Sequence, residues 1–509
     1  MTIPQEIKNI LEKLQKNGFE AYAVGGCVRD LLLGKKPKDW DVCTNALPEQ
    51  IQKIFPDSFY ENKFGTVGVK IESLEENLKI VEVTTYRVDA SYSDKRHPDS
   101  VSFTRNLQED LARRDFTINA MALGLGGEIV DLFGGQEDLK EGIIRAVGNP
   151  EERFKEDALR ILRAVRLSVE IGFNEAKKNV KQVSQSVKQG FTIEKKTAEA
   201  IKKNAKLLQM IAKERIKDEL EKIIMSDKPD EGILMLHDLG LLEFIIPELE
   251  KGIGVAQNRH HIYSIFEHGI FSLKFAVHPP KFSEGKLGRA RKNNLVVRLA
   301  ALLHDIAKPK TKRGEGPNST FYNHDIIGAK ITARILERLR FDKEIIERVV
   351  NLVRHHMFVY DVGAVTEAGV RRLLARVGPE NMEDLLALRI ADRLGSGVPK
   401  AQPYRLRHFQ YMVEKVQHDP ISVKMLKING NDIMEVLKIR PGPKIGAILD
   451  VLLSEVIEEP PKNSNKYLKR RVKELGKTDL TKLRQMAKEK IEEKKEEEDQ
   501  EIKGKYWVK

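Results

Sequence analysis

The sequence predicts an α+β protein, with a mixed sheet-and-helix part at the N-terminus and helices almost throughout the rest. Two patterns carry that prediction. Within residues 1–145, short β-favouring runs alternate with Gly-rich turns and short helices. From about residue 146 apolar residues recur three and four apart, as in "EDALRILRAVRLSVEIGF" and "ERIKDELEKIIM". A chain of 509 residues also exceeds what one hydrophobic core supports, so several domains are expected.

The chain opens on an amphipathic helix pattern, "MTIPQEIKNILEKL", without the apolar core of a secretory signal. "FEAYAVGG", "WDVCT", "VGVKI", "KIVEVTTYR" and "GEIVDLF" read as strands, and "CVRDLLLG" as the helix between the first two. Composition and patterning set off residues 1–145, a helical stretch from about 146, a histidine-dense segment within 260–356, a helical region at about 401–475 and the remainder, 476–509. Residues 281–293 read as an exposed basic loop. The terminal run "AKEKIEEKKEEEDQEIKGK" has almost no apolar face and reads as a solvated helix or disorder.

Two cysteines cannot build a disulfide framework, which places the chain in a reducing cytoplasm. No apolar run reaches membrane-spanning length, since "NNLVVRLAALLHDIA" is broken by Arg298 and His304. The net charge of +12 favours a polyanionic partner.

The stretch "YAVGGCVRDLLLGKKPKDWDVCT" concentrates the chemistry of the first part. On a strand, Asp39 and Asp41 project to one side and Trp40 to the other. Two carboxylates so placed can share a pair of Mg²⁺ ions, which activate an attacking hydroxyl and steady the leaving oxygens of a nucleoside triphosphate. Gly25 and Gly26 stand where a strand turns into a helix, so backbone N–H groups can approach phosphates, with Arg29 one turn further on. Taken singly, "DWD" also reads as a solvated turn and the glycines as an ordinary strand–helix junction.

The pattern GG-x-VRD-x-LLG-x4-D-x-D-x2-T at 25–44 resembles the signature of the class II tRNA nucleotidyltransferase and bacterial poly(A) polymerase family, which carries a polymerase-beta-like nucleotidyltransferase head. "DLARRDFTINAMAL", "DLFGGQEDL", "EDALRILRAVR" and "ERIKDEL" resemble its later motifs, in the family's order. The resemblance implies a head at 1–145, a neck and body at 146–255 that read the base and bind RNA, and a tRNA-binding tail at 401–475 followed by a charged extension. It makes Asp39 and Asp41 the Mg²⁺ ligands and Glu82 a third catalytic carboxylate. Gly26, Arg29 and Arg114 become contacts to triphosphate or sugar. The segment "TYRVDASYSDKRHPDSVSFTRNLQEDL" is similar to a flexible loop that assists the switch to adding A.

Asp157, Arg160, Arg163 and Arg166 recur at steps of three on one predicted helix, each step about 60° short of a turn. Cytosine and adenine both present an exocyclic amine beside a ring-nitrogen acceptor, whereas guanine and uracil present the reverse. An aspartate acceptor beside an arginine donor suits the first pair and leaves buried polar groups unpaired against the second. The resemblance gives Asp157 and Arg160 this base-reading role; without it, an exposed salt bridge explains the pair equally well.

Eight of the twelve histidines fall between 260 and 356. "HD" occurs at 237, 304, 324 and 418, of which His237 and His418 stand at predicted helix ends. His304–Asp305 lies in an apolar helix that would bury it without a ligand. With His268 upstream and Asp392 downstream, the set resembles the HD metal-phosphohydrolase pattern and places an HD domain at 256–400. His324 and His355 or His356 stand where two-metal members carry further ligands. Mixed imidazole and carboxylate donors suit Ni²⁺, Co²⁺ or Mn²⁺. The family often has Asp where Ser264 stands in this chain.

These readings predict an enzyme that transfers CMP, CMP and AMP from CTP and ATP to the 3′ end of tRNA without a template, with phosphohydrolase activity in the HD domain. No obligate protein partner and no membrane association are expected. The alternatives are a poly(A) or A-adding polymerase of the same family, and an HD phosphohydrolase whose head only binds nucleotide.

Overall fold

The computed structural model describes residues 3–62, 64–89, 101–171, 190–258, 262–278, 294–397, 404–417, 426–486 and most of 499–508. The basic loop expected at 281–293 and His418 lie outside the described residues, as does the middle of the predicted flexible loop, 90–100. Two compact units are present: Met1–Arg354 with Ala387–Val398, and His355–Leu386 with Pro399–Lys509.

The N-terminal part of the first unit is built on a seven-stranded sheet. Its strands are β1 (Ala21–Val24), β2 (Asp41–Thr44), β3 (Ser58–Asn62), β4 (Thr66–Lys70), β5 (Ile80–Thr85), β8 (Met121–Leu123) and β9 (Ile129–Asp131), in the order β3-β4-β5-β2-β1-β8-β9. β6 (Arg87–Asp89) and β7 (Val101–Phe103) form a separate two-stranded ribbon. Only the β2–β5 contact is parallel; the remaining neighbours in the large sheet run antiparallel. Strands β3 and β8 were not apparent in the sequence, because "SFYEN" and "MAL" are short and show no alternation.

The sheet core explains why β1 is so apolar. Val24 and Cys43 pack with Tyr86, Leu111 and Ala122, all nearly free of solvent. Burying a side chain of this size contributes about 1.5–3 kcal/mol. The helix Gln5–Lys16 adds Ile7, Leu11 and Leu14 from a single face.

Helices follow, as the periodicity requires. Leu159–Glu170 is buried on nearly every side and packs against Lys213–Met225. That second helix ends on a contact the sequence hid. Arg298, 1% exposed within the apolar helix Leu295–Leu303, donates through Nη1 to the carbonyls of Ile224 (2.6 Å) and Ser226 (2.8 Å). The last carbonyls of a helix lack intrahelical partners, so the guanidinium acts as its C-terminal cap. Burial pushes the Arg298 pKa down to about 10, against the opposing Asp227 carboxylate. Arg298→Leu is expected to cost about 3 kcal/mol, because charged hydrogen bonds are lost and buried carbonyls are left bare. The midpoint of urea unfolding checks this; an unchanged midpoint would mean that the carbonyls find other partners.

The second unit has its own core, formed by Ile433, Ile448, Val451, Leu452, Leu468, Val472, Leu475 and Leu483. Helix Asn465–Leu475 turns Leu468, Val472 and Leu475 inward and leaves Lys466, Lys469, Arg470 and Lys473 exposed. The terminal charged run, 487–505, is described only at 499, 500 and 502–504, and there Asp499 is paired rather than solvated. Leu483 is completely buried, Asp499 pairs with Lys415 at 3.0 Å, and the Tyr506 hydroxyl donates to Glu414 at 2.6 Å.

Candidate active site and metal centre

Gly25 follows the last residue of β1, and its φ of +86° is strained for any residue with a side chain. A β-carbon there would also lie 3.1 Å from the Arg114 guanidinium and 3.7 Å from the Asp41 carboxylate. The turn therefore needs glycine twice over, once for its backbone and once for the charged groups packed against it. The helix Gly26–Leu32 begins at once. Its Arg29 donates to Asp30 (2.8 and 2.9 Å) and to the Asn119 side chain (2.8 Å), which fixes the guanidinium beside Gly26.

Asp41 is the first residue of β2, opposite Val24 of β1 and beside Glu82 of β5. In a sheet, partners in register point to the same face, so Asp41 and Glu82 share one. Asp39 departs from expectation by lying in a bend before the strand. It is exposed, Trp40 is buried and Asp41 half-buried, so the predicted alternation survives without the strand. Burial pushes the Asp41 carboxyl up; Arg114 opposes the shift and Asp39 adds to it.

Arg114 does not pair with its neighbour Asp115. It reaches Asp110 at 3.4 Å, while Asp115 receives two hydrogen bonds from Arg163 at 2.5 and 2.8 Å. Burial works against the Asp115 carboxylate, but Arg163 holds it well below the usual range.

The base-reading residues are arranged differently from the predicted single helix. The helix Pro150–Glu156 stops at Asp157, which has extended backbone (φ −129°, ψ 103°), and the next helix begins at Leu159. Asp157 thus stands in the break between two helices, where its Oδ1 accepts from the Leu159 N–H at 3.0 Å. Its partner is Arg215, at 3.1 and 3.3 Å. Arg160 donates to Glu156 (3.0 Å) and to the Arg113 carbonyl (3.0 Å). Arg166 lies between Glu170 (2.9 Å) and Glu219 (2.7 Å). Arg215 and Glu219 belong to "ERIKDEL", and their partners lie more than 50 residues away in the chain, out of reach of pattern reading.

The histidine-dense segment gathers a second centre. His268 lies one turn inside the helix Ile265–Val277, which starts with Ser264 and Glu267 exchanging backbone and side-chain bonds at 3.3 and 2.9 Å. Ser264 is a helix cap in this chain, a task that Asp also performs. His268 Nε2 lies 3.0 Å from His304 Nε2 and 3.3 Å from both Asp305 and Asp392. His304 is completely buried, and its Nδ1 donates to the Ala301 carbonyl at 2.9 Å. That bond turns Nε2 toward the cluster; burial opposes a charge on the ring, yet Asp305 and Asp392 push its pKa up to about 10, so a metal ion binding there would displace a proton. His324 repeats the arrangement: Nδ1 lies 2.7 Å from the Phe321 carbonyl and Nε2 3.4 Å from Asp305. Burial opposes the charge on Asp305 and Asp392, yet both are held well below the usual carboxylate range, the first by Lys308 and His304 and the second by Arg389. His355 is half-buried at the end of the helix Lys343–His355, and its neighbour His356 is the buried one of the two.

Three family models match the chain: the poly(A) polymerase head domain over residues 21–145, the probable RNA- and SrmB-binding site of polymerase A over 190–253, and the HD domain over 271–396. The CCA-adding enzyme of Ligilactobacillus salivarius is 34% identical over 464 residues, 89% of this chain and 93% of that protein. The chain belongs to the CCA-adding enzyme family. A second CCA-adding enzyme, from Geobacillus thermodenitrificans, is 42% identical over 49% of this chain and 56% of its own length. The crystal structure of the Bacillus stearothermophilus CCA-adding enzyme in complex with CTP has a TM-score of 0.53 and 26% identity, covering 93% of this chain and 98% of that one.

CCA-adding enzymes are nucleotidyltransferases that need divalent metal ions. In this member of the family, both centres have donors that fit such ions. Asp39, Asp41 and Glu82 offer oxygen alone, and the burial that disfavours the Asp41 charge is what a cation would relieve. His268, His304 and Asp305 bring one ligand atom each within 4.8 Å of one another.

Proposed function

We propose that this chain adds CMP, CMP and AMP to the 3′ end of tRNA, using CTP and ATP and no nucleic-acid template. The observation that carries the reading is the placement of Asp41 and Glu82 in register on one sheet face, against the Gly25 turn and Arg114. The family, the RNA-binding match and the basic face of the helix Asn465–Leu475 support tRNA as the acceptor.

In the reaction the tRNA 3′ hydroxyl attacks the α-phosphorus. The bond to the oxygen bridging to the β-phosphate breaks, and pyrophosphate leaves. Asp39, Asp41 and Glu82 would hold Mg²⁺, which when bound neutralises phosphate charge and favours the alkoxide. Arg114 and the oriented Arg29 bind phosphate oxygens, and Gly26, without a side chain, leaves room for them. Asp157 and Arg160 meet the pairing edge of the base. Incubating tRNA that ends at the discriminator base with CTP and ATP, singly and together, tests this. CC from CTP and CCA from both are expected; A-tails from ATP alone would make the chain a poly(A) or A-adding polymerase. The two buried, free cysteines accord with a reducing cytoplasm, and among the described residues no helix is long and apolar enough to cross a membrane.

Asp157→Ala and Arg160→Ala are expected to relax the choice of nucleotide by about tenfold or more relative to their effect on triphosphate affinity. Measuring kcat/KM for all four triphosphates checks this. Equal losses for the four would assign both residues to packing.

A second activity is favoured by the convergence of His268, His304, Asp305 and Asp392. Bound Ni²⁺, Co²⁺ or Mn²⁺ would supply an activated water for phosphoester hydrolysis. His324 stands beside the set, and the resemblance alone adds His355 or His356 as a further ligand.

A further inference from the structure

Asp110 is 0% exposed, on the short helix Leu107–Ala112, and none of the roles above uses it. A buried carboxylate of this kind persists only if its surroundings satisfy it. Here they are two consecutive arginines. Oδ1 accepts from Arg113 Nε (3.0 Å) and Nη2 (2.8 Å), and Oδ2 lies 3.4 Å from Arg114 Nη2. The Arg87 N–H, at the start of β6, makes a longer contact of 3.4 Å.

The two arginines serve different halves of the site. Arg114 turns its other guanidinium nitrogen to the Gly25 turn and lends its charge to Asp41. The backbone carbonyl of Arg113 receives Arg160 Nη2 at 3.0 Å. Arg113 is the C-cap of the helix Leu107–Ala112, and its pair with Asp110 one turn back holds that helix end, whose carbonyl receives the Arg160 fork. One buried carboxylate thus touches both the phosphate-and-metal side and the base-reading side. Sequence separation hides this link: Asp110 and Arg160 are 50 positions apart.

We propose that Asp110 is a positioning residue that sets Arg114 against Asp41 and, through Arg113, sets Arg160 against the base, so that catalytic rate and nucleotide choice depend on a single carboxylate. The inference rests on the nucleotide-adding role proposed above. It distinguishes Asp110 from a residue that merely stabilises the fold, which would lower the amount of active enzyme and leave the ratio between nucleotides alone.

The test compares wild type with Asp110→Asn, which keeps the shape but loses the charge that holds two guanidinium groups. With full-length protein, kcat and KM are measured for CTP, ATP, UTP and GTP on tRNA lacking its terminus. The tRNA dissociation constant and the thermal midpoint are measured in parallel. The expected result is a fall of about a hundredfold in kcat for CTP, since displacing reacting groups by an ångström costs that much. Discrimination of CTP against UTP should fall about tenfold with it, while tRNA affinity is retained. Undiminished rate and discrimination would overturn the proposal. So would a loss of rate with discrimination intact, which would confine Asp110 to the phosphate side. Should Asp110→Asn fail to fold, Asp110→Glu keeps the charge, displaces it by one methylene and is read by the same criteria. A wild type that adds no nucleotide would instead sink the underlying function, an outcome separate from either.

Discussion

Replacing Asp39 and Asp41 together by asparagine is expected to lower nucleotide addition by about a thousandfold or more while leaving a folded, tRNA-binding protein. The two side chains differ in setting, and the difference makes the experiment clean. Asp39 is exposed and contributes little to packing. Asp41 is half-buried, and its burial already disfavours the charge, so the neutral amide relieves a cost to the fold. Arg114 loses one neighbouring carboxylate but keeps Asp110 at 3.4 Å. Removing both charges therefore acts on the reaction and little on stability. Single-turnover addition of labelled CMP, with a melting curve and a tRNA-binding titration on the same preparation, provides the check. Comparable extension by the folded double mutant would show that the chemistry lies elsewhere.

His304→Ala is expected to abolish metal-dependent hydrolysis of small phosphoesters and to leave CMP and AMP addition at its original rate. His304 Nε2 lies 3.0 Å from that of His268 and 3.4 Å from Asp305, so its loss removes a central ligand. None of its described polar contacts is with a residue proposed to hold nucleotide. Asp39→Asn should do the converse. The two variants are assayed for both reactions, hydrolysis being followed on a 2′,3′-cyclic nucleotide with Ni²⁺, Co²⁺ or Mn²⁺ supplied separately. Failure of folded His304→Ala to add nucleotide would mean that the two centres are coupled. Absence of hydrolysis by the wild type with every metal would leave the cluster a structural site.

Much of the head was legible because its signals are local. Gly25, Arg29, Asp39 and Asp41 fall within seventeen positions, and the turn, helix and alternation follow from short-range sterics. The histidine cluster was legible for a different reason: charged and polar side chains stood in helices otherwise too apolar to tolerate them. Asp157 was misplaced because the apolar periodicity runs on through "FKEDALRIL", although an aspartate there can end one helix and accept from the N–H two residues on, as it does from Leu159. Its pairing with Arg215, 58 positions on, adds a tertiary contact that the sequence does not display. The cap supplied by Arg298 escaped for the same reason, since its partners are carbonyls 72 and 74 positions away. Between His355 and His356 the choice depends on the phase of one helix end, which pattern reading cannot resolve to a single residue.

The parallel seam between β2 and β5 also decides where this protein can change in length. Thirty-five residues separate Thr44 from Ile80, holding the helix Pro48–Ile54 and the β3–β4 hairpin. Leu74, in the connection that follows β4, stands wholly in solvent. Insertions there lengthen a surface loop at a small entropic cost and leave β5 in step with β2. A deletion of one residue between Ile80 and Glu82 is another matter: it slips the strand by one position and sends the carboxylate to the opposite face of the sheet. Evolution can therefore decorate the loop freely while the two or three positions beside it admit no change in number.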